Sequence, residues 1–190
     1  MARSGGSVTI CSSAHGSTVS AAANLVLYQL GWFACVLGAA HGAPWLGPLV
    51  AAAIVSWHLG TARYKSRELA LLACAVALGL VVDSTLMRLG LLHFATGVVV
   101  AGVSPGWMLA LWVLFATTLN VSLRWLHRRP VAAGALGLLG GPLAYWAGAR
   151  LGAISLTPAS RALCAVALVW AAAAPLLVVV ARGRDGFAAA

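Results

Sequence analysis

Acidic residues are almost missing from this chain, with 3 Asp and Glu in 190 residues against 12 Lys and Arg. Charged residues of both signs make up 8%, about a third of the ~25% that a soluble domain carries. So few charges cannot cover a water-facing surface, which excludes an ordinary soluble fold and any separate soluble domain. HExxH and HxxxH spacings, Walker loops, dinucleotide fingerprints and Ser/His/Asp nucleophile signatures are also absent. Four cysteines, Cys11, Cys35, Cys74 and Cys164, form no CxxC pair. Three of them lie in apolar runs and read as small hydrophobes, so neither a disulfide nor a metal site is expected. No cofactor is expected either.

What remains is apolar. Hydrophobic residues make up 62%, and the mean hydropathy is +0.97. They gather in runs close to the ~20 residues that a membrane helix needs. The fold class is therefore an all-α integral membrane protein. Spans are expected at 22–40, 45–61, 68–88, 106–126, 131–149 and 161–181, giving a bundle of about six transmembrane helices over 22–182. Residues 1–21 form a polar, flexible tail without the apolar stretch of a signal peptide, and 183–190 form a short C-terminal tail. Pro44 suits the first turn of the second helix, and Pro175 is expected to bend the last one.

Segment 89–104 is apolar but short and broken by glycines. Charge arbitrates its placement. With six spans, nine basic residues share one side with both termini, against Arg88, Arg150 and Arg161 opposite. If 89–104 also crossed, the division would be six to six. The positive-inside bias therefore selects six spans with both termini cytoplasmic, and leaves 89–104 at the outer face. The net charge of +9 then reflects topology, and no nucleic-acid partner is expected. Membrane lipids are the expected partners, together with a membrane-protein partner.

Eight tryptophans fit this scheme. Trp45, Trp57, Trp107, Trp125 and Trp146 fall near span ends and read as interface anchors, while Trp32, Trp112 and Trp170 sit deeper and read as packing. Gly137 and Gly141 stand in GxxxG spacing, with Gly134 and Gly148 near the same stripe, and predict close helix packing.

Asp83 is the informative residue. It is the one carboxylate inside an apolar run, since Glu68 opens the third span and Asp185 lies in the tail. An intramembrane carboxylate is a functional-site hypothesis by default, with a hydrogen-bonded clamp to a neighbouring helix, or a partner for Arg88, as the alternative. It lies roughly 22 Å along the helix from Glu68, in the outer half of the bilayer. Arg88, His93 and His41 fall near the same depth and complete a candidate polar cluster. His58 and His127 fall near the inner face, where a lone histidine is usually interfacial. Two stripes are expected to face the bundle interior, with the lining of a small headgroup or solute pocket as the alternative: Asn24, Tyr28, Trp32 and Cys35 on the first helix, and Thr117, Asn120 and Arg124 on the fourth.

Several blocks carry a resemblance. They are Asn24 to Gly38 with Pro44-Trp45-Leu46-Gly47, Asp83-Ser84-Thr85-Leu86, Pro105-Gly106-Trp107-Met108, Leu111-Trp112, Phe115 to Leu123, and Gly140-Gly141-Pro142 with Tyr145. In this order they resemble an uncharacterised family of bacterial inner-membrane proteins, domain of unknown function 2878, over residues 24–180. The resemblance implies a multi-span helical protein of the bacterial cytoplasmic membrane and implies no reaction. The abundance of Arg over Lys and of Ala agrees with a GC-rich bacterial genome.

Three functions follow from different classes. The first is a noncatalytic accessory protein that binds lipid or a partner, and the shortage of ionisable groups favours it. A second is a membrane-embedded enzyme acting on a lipid or isoprenoid, with Asp83, Arg88 and His93 as acid/base groups. The third is a small proton-coupled carrier using Asp83, which internal repeats would support. The only similarity noted is between Gly42-Ala43-Pro44-Trp45 and Ser104-Pro105-Gly106-Trp107.

Overall fold

A computed structural model describes residues 20–188. The predicted tail at 1–21, including Cys11, lies almost wholly outside the described residues. Ser20 closes the first helix by accepting a hydrogen bond from the Ala23 amide at 3.1 Å. Six helices follow: α1 Ala21–Ala40, α2 Leu46–Thr61, α3 Lys65–Arg88, α4 Gly106–Leu119, α5 Pro130–Arg150 and α6 Ala159–Gly183. Two three-residue strands, β1 Leu92–Phe94 and β2 Ile154–Leu156, follow α3 and α5. The helices α1, α3, α5 and α6 are long and apolar enough to cross a membrane. Pro142 and Pro175 both lie inside unbroken helices.

The expected span at 106–126 is corrected. α4 stops at Leu119, with Asn120 as its cap, and Arg124–Arg128 forms a short 3-10 helix. The cause is local: Thr117 and Thr118 donate their hydroxyls to the Leu114 and Phe115 carbonyls at 2.7 and 2.6 Å. Such bonds compete with the helical ladder. Thr117 and Asn120 still face inward, but Arg124 lies beyond the helix and does not continue their stripe.

One end of the bundle is closed by an internal repeat that the hydropathy pattern hides. α3 ends in Arg88-Leu89-Gly90 and α5 in Arg150-Leu151-Gly152, with both glycines in the left-handed region at φ 70° and 87°. The Leu91 amide donates to the Leu86 carbonyl at 3.0 Å, and the Ala153 amide donates to Gly148 at 3.0 Å. β1 and β2 then pair antiparallel with His93 opposite Ser155, flanked by Leu92 opposite Leu156 and Phe94 opposite Ile154. The Ala95 amide donates to Ala153, and the Thr157 amide donates to Leu91. Exchanging the two segments maps this set of bonds onto itself, so a local two-fold axis passes between His93 and Ser155. α1 ends in the same way, at Gly42 with φ 79° and an Ala43 amide donating to Gly38.

Aligned on these glycines, three helical hairpins place Gly31, Gly79 and Gly141 at one level and Cys35, Asp83 and Tyr145 one turn later. All six are buried. At Gly141 a Cβ would lie 2.5 Å from the Trp170 ring, and at Gly137 it would strike the Trp170 backbone. This close α5–α6 crossing bears out the packing expected of that stripe.

Segment 89–104 forms β1 and a loop over this end. Trp107, expected as an interface anchor, is instead buried, and its Nε1–H donates to the Thr96 carbonyl at 3.1 Å. The Thr96 hydroxyl donates to the Ala39 carbonyl at 2.8 Å, which brings the end of α1 to the same place. Trp45, Trp57, Trp125 and Trp146 are exposed, as expected. Leu30, Leu49, Val81, Leu139, Leu143 and Leu168 also point outward. Large apolar side chains outside, around an interior that holds the polar Asn24, His58, Glu68 and Asp83, are the inverse of a soluble bundle.

Candidate functional site

Asp83 lies on α3 about one turn before its end and is fully buried. Its Oδ2 accepts from Trp112 Nε1–H of α4 at 2.7 Å, and its Oδ1 accepts from the Tyr145 hydroxyl of α5. One carboxylate therefore joins three helices. Gly79, a turn earlier, admits the Trp112 indole, since a Cβ there would overlap it. The Trp112 ring stacks on Trp170 of α6 with centroids 4.4 Å apart and planes 18° from parallel. Both tryptophans were expected to pack, and Trp112 in addition carries a polar bond. Beside Asp83, the Ser84 hydroxyl accepts from the Ser104 amide at 3.0 Å and anchors the loop after β1.

The other members of the expected cluster are not brought to Asp83. Arg88 is exposed and donates Nε–H to the Gly102 carbonyl at 3.0 Å. His93 is exposed in β1, and His41 is exposed with its ring against the Leu37 carbonyl at 2.9 Å. These residues share one end of the bundle with Asp83, but the azimuth of each around its helix leaves no mark in the sequence. Of the partners Asp83 does have, Trp112 reads in the sequence as a packing residue, and Tyr145 carries no signal there beyond the family resemblance.

The first-helix stripe is built into the bundle. The Asn24 amide donates to the Thr117 carbonyl at 3.2 Å and accepts from the Ser122 hydroxyl at 2.6 Å. Trp32 and Cys35 are buried, and Tyr28 is half-buried. Tyr28 and Ala144 border three adjoining spaces. The first is a small aromatic cavity of about 50 Å³ that reaches Tyr145 and Trp112, and the second is a cavity of about 240 Å³ along Gly137, Gly140 and Gly141. The third, a cleft of about 520 Å³ between α1 and α5, opens at the side of the bundle.

A second buried polar centre was missed. Glu68 is fully buried at the end opposite the paired strands β1 and β2, and so is His58, which was expected to be interfacial. His58 Nε2 lies 2.9 Å from Glu68 Oε2, while Asn120 Nδ2 and the Gly186 amide donate to Oε1 at 2.6 and 2.8 Å. The tail after α6 covers the site: the Tyr64 amide donates to the Gly186 carbonyl, and the Phe187 ring lies against His58 at 5.1 Å. Asp185 pairs with Arg124. Nearby, burial pushes the His127 imidazole below its ordinary pKa, while the Leu119 carbonyl and Asp185 oppose the shift. Glu68 looked like a first-turn acid favoured by the helix dipole. The available signal was that it is the only glutamate in the chain. Among the described residues, no group of three His, Cys, Asp or Glu is placed to hold a metal ion.

An apolar exterior, four helices of spanning length and carboxylates satisfied inside define the class: a helical membrane protein. More narrowly, the chain belongs to the family described as Protein of unknown function (DUF2878), whose model matches residues 21–176. Nothing among the curated proteins or the solved structures matches it.

Proposed function

We propose that this is a six-span protein of the bacterial cytoplasmic membrane, both termini cytoplasmic, that holds a lipid or isoprenoid chain without catalysing a reaction. The observation that carries the lipid reading is the side opening between α1 and α5, which shares its Tyr28 and Ala144 walls with two apolar cavities. An apolar chain can enter such an opening from the bilayer without crossing water. Arg150 lines the outer mouth of the cleft, where an anionic headgroup would sit. For six spans, the support is the alternation of the helices between two ends and the nine-to-three division of basic residues. α2 and α4 have 16 and 14 residues and are short for a ~30 Å core, but exposed Trp45, Trp57 and Trp125 flank them as anchors.

Ala144→Phe is expected to reduce the lipid that co-purifies with the protein by about tenfold, on the scale of a few lost apolar contacts. The check is mass spectrometry of extracted lipid, with thermal melting in detergent as the folding control. An unchanged lipid content in a folded variant would remove the reading. The topology has its own test. A cysteine at Trp125, in a chain freed of its native cysteines, should react with an impermeant maleimide in inverted vesicles and not in intact cells.

A carrier is the second reading. It is favoured by the repeat, in which Asp83 and Tyr145 occupy equivalent places and meet between repeats. The enzyme reading loses its assembly, since Arg88 and His93 are turned away from Asp83.

A further inference from the structure

Of the eight basic residues described at the end opposite the paired strands, five converge on one place. Arg67 from the start of α3, Arg124 and Arg128 from the 3-10 helix, Arg129 between it and α5, and Arg182 from the end of α6 line one polar cleft of about 840 Å³. Positive-inside bias alone requires only that these residues share a side of the membrane. It does not require chain segments far apart in sequence to converge on one concavity. Asp185 is the only acid in the lining, and it is already paired with Arg124. Arg67 is fixed over the Tyr64 ring at 4.5 Å and Arg129 over Trp125 at 5.7 Å, which limits the side-chain freedom an anion would have to quench. α5 begins directly after Arg129 with proline in its first turn and no side-chain cap, so its positive end adds to the same field.

We infer that this cleft is a binding site for a phosphate monoester. Planar guanidinium groups from separate elements match the several oxygens of a doubly charged phosphate better than a single carboxylate. Trp125 in the wall sets the cleft at headgroup level. The phosphate belongs either to a lipid headgroup or to a soluble ester. The site stands independently of the α1–α5 opening, which lies on the apolar flank.

The test uses the full chain in nanodiscs of phosphatidylcholine, with two probes: short-chain phosphatidic acid and glycerol 3-phosphate. Arg128→Gln with Arg182→Gln removes one lining arginine from each of two elements. Arg63→Gln with Lys65→Gln removes the same charge from exposed positions at the same end that do not line the cleft. The cleft pair should weaken binding about 25-fold, at roughly fivefold per basic residue, with the control pair within about twofold. Arg128→Lys with Arg182→Lys keeps the charge and should show an intermediate loss, which separates guanidinium recognition from unfolding. This pattern with phosphatidic acid alone identifies a lipid headgroup, and with glycerol 3-phosphate as well a soluble ester. Equal losses in the cleft and control pairs, or no binding of either probe, would overturn the inference.

Discussion

Glu68→Ala should destabilise this protein more than any other single truncation at the end opposite the paired strands β1 and β2. Removing the carboxylate strands the buried His58 Nε2 and Gly186 amide and leaves Asn120 Nδ2 only its 3.4 Å bond to the Arg184 carbonyl. Breaking a buried pair from one side typically costs about 3–5 kcal/mol, because the remaining partner stays buried without compensation. The melting midpoint in detergent should fall by roughly 10 °C for a chain of this size. Glu68→Gln keeps one carbonyl acceptor and should lose only about 1–2 kcal/mol. The two variants should also differ at the C-terminus. In Glu68→Ala the Gly186 amide has nothing to hold it, so limited proteolysis should remove the tail after Arg184 faster. A melting curve for Glu68→Ala that overlays the unsubstituted protein would mean that the tail, and not the carboxylate, closes this end.

How much of this was legible beforehand depends on which physical signal each feature leaves. Apolar runs of spanning length leave a strong one, so α1, α3, α5 and α6 were readable within a few residues. Hydropathy cannot show where α4 ends, because Thr117, Thr118 and Asn120 sit among apolar neighbours and act through their own hydroxyls and amide. Trp107 looked like an anchor because it opens a span, yet the loop over β1 folds back on it and gives its N–H a partner. Glu68 was hidden by position: a first-turn acid is ordinary, and only the contact with His58 and Gly186 reveals it as buried. The repeat was hidden by divergence. Its three hairpins share glycines at the tight turn and one helical level, while the residue one turn on differs in each, as Cys35, Asp83 and Tyr145. Spacing between glycines, not similarity between side chains, is where the repeat is written.

That same equivalence makes Asp83 the position at which structure and function can be separated. Asp83→Asn changes little in shape. The amide oxygen can accept from Trp112 Nε1–H, and the amide nitrogen can donate to the Tyr145 oxygen if the phenol turns its proton elsewhere. Its stability should therefore stay within about 1 kcal/mol of the original. Asp83→Ala leaves a buried indole N–H and a buried phenol without partners and opens space between α3, α4 and α5, a loss of about 2–4 kcal/mol. A purely structural clamp predicts that Asn restores whatever Ala removes, in melting and in a cell-based readout such as the lipid profile of a deletion strain carrying each variant. A proton-linked role predicts the opposite order in cells: Asn folds like the original and fails like Ala. Full activity of Asp83→Asn would end the carrier reading and the acid/base reading together, and leave Asp83 as the bond that ties three helices at the repeat interface.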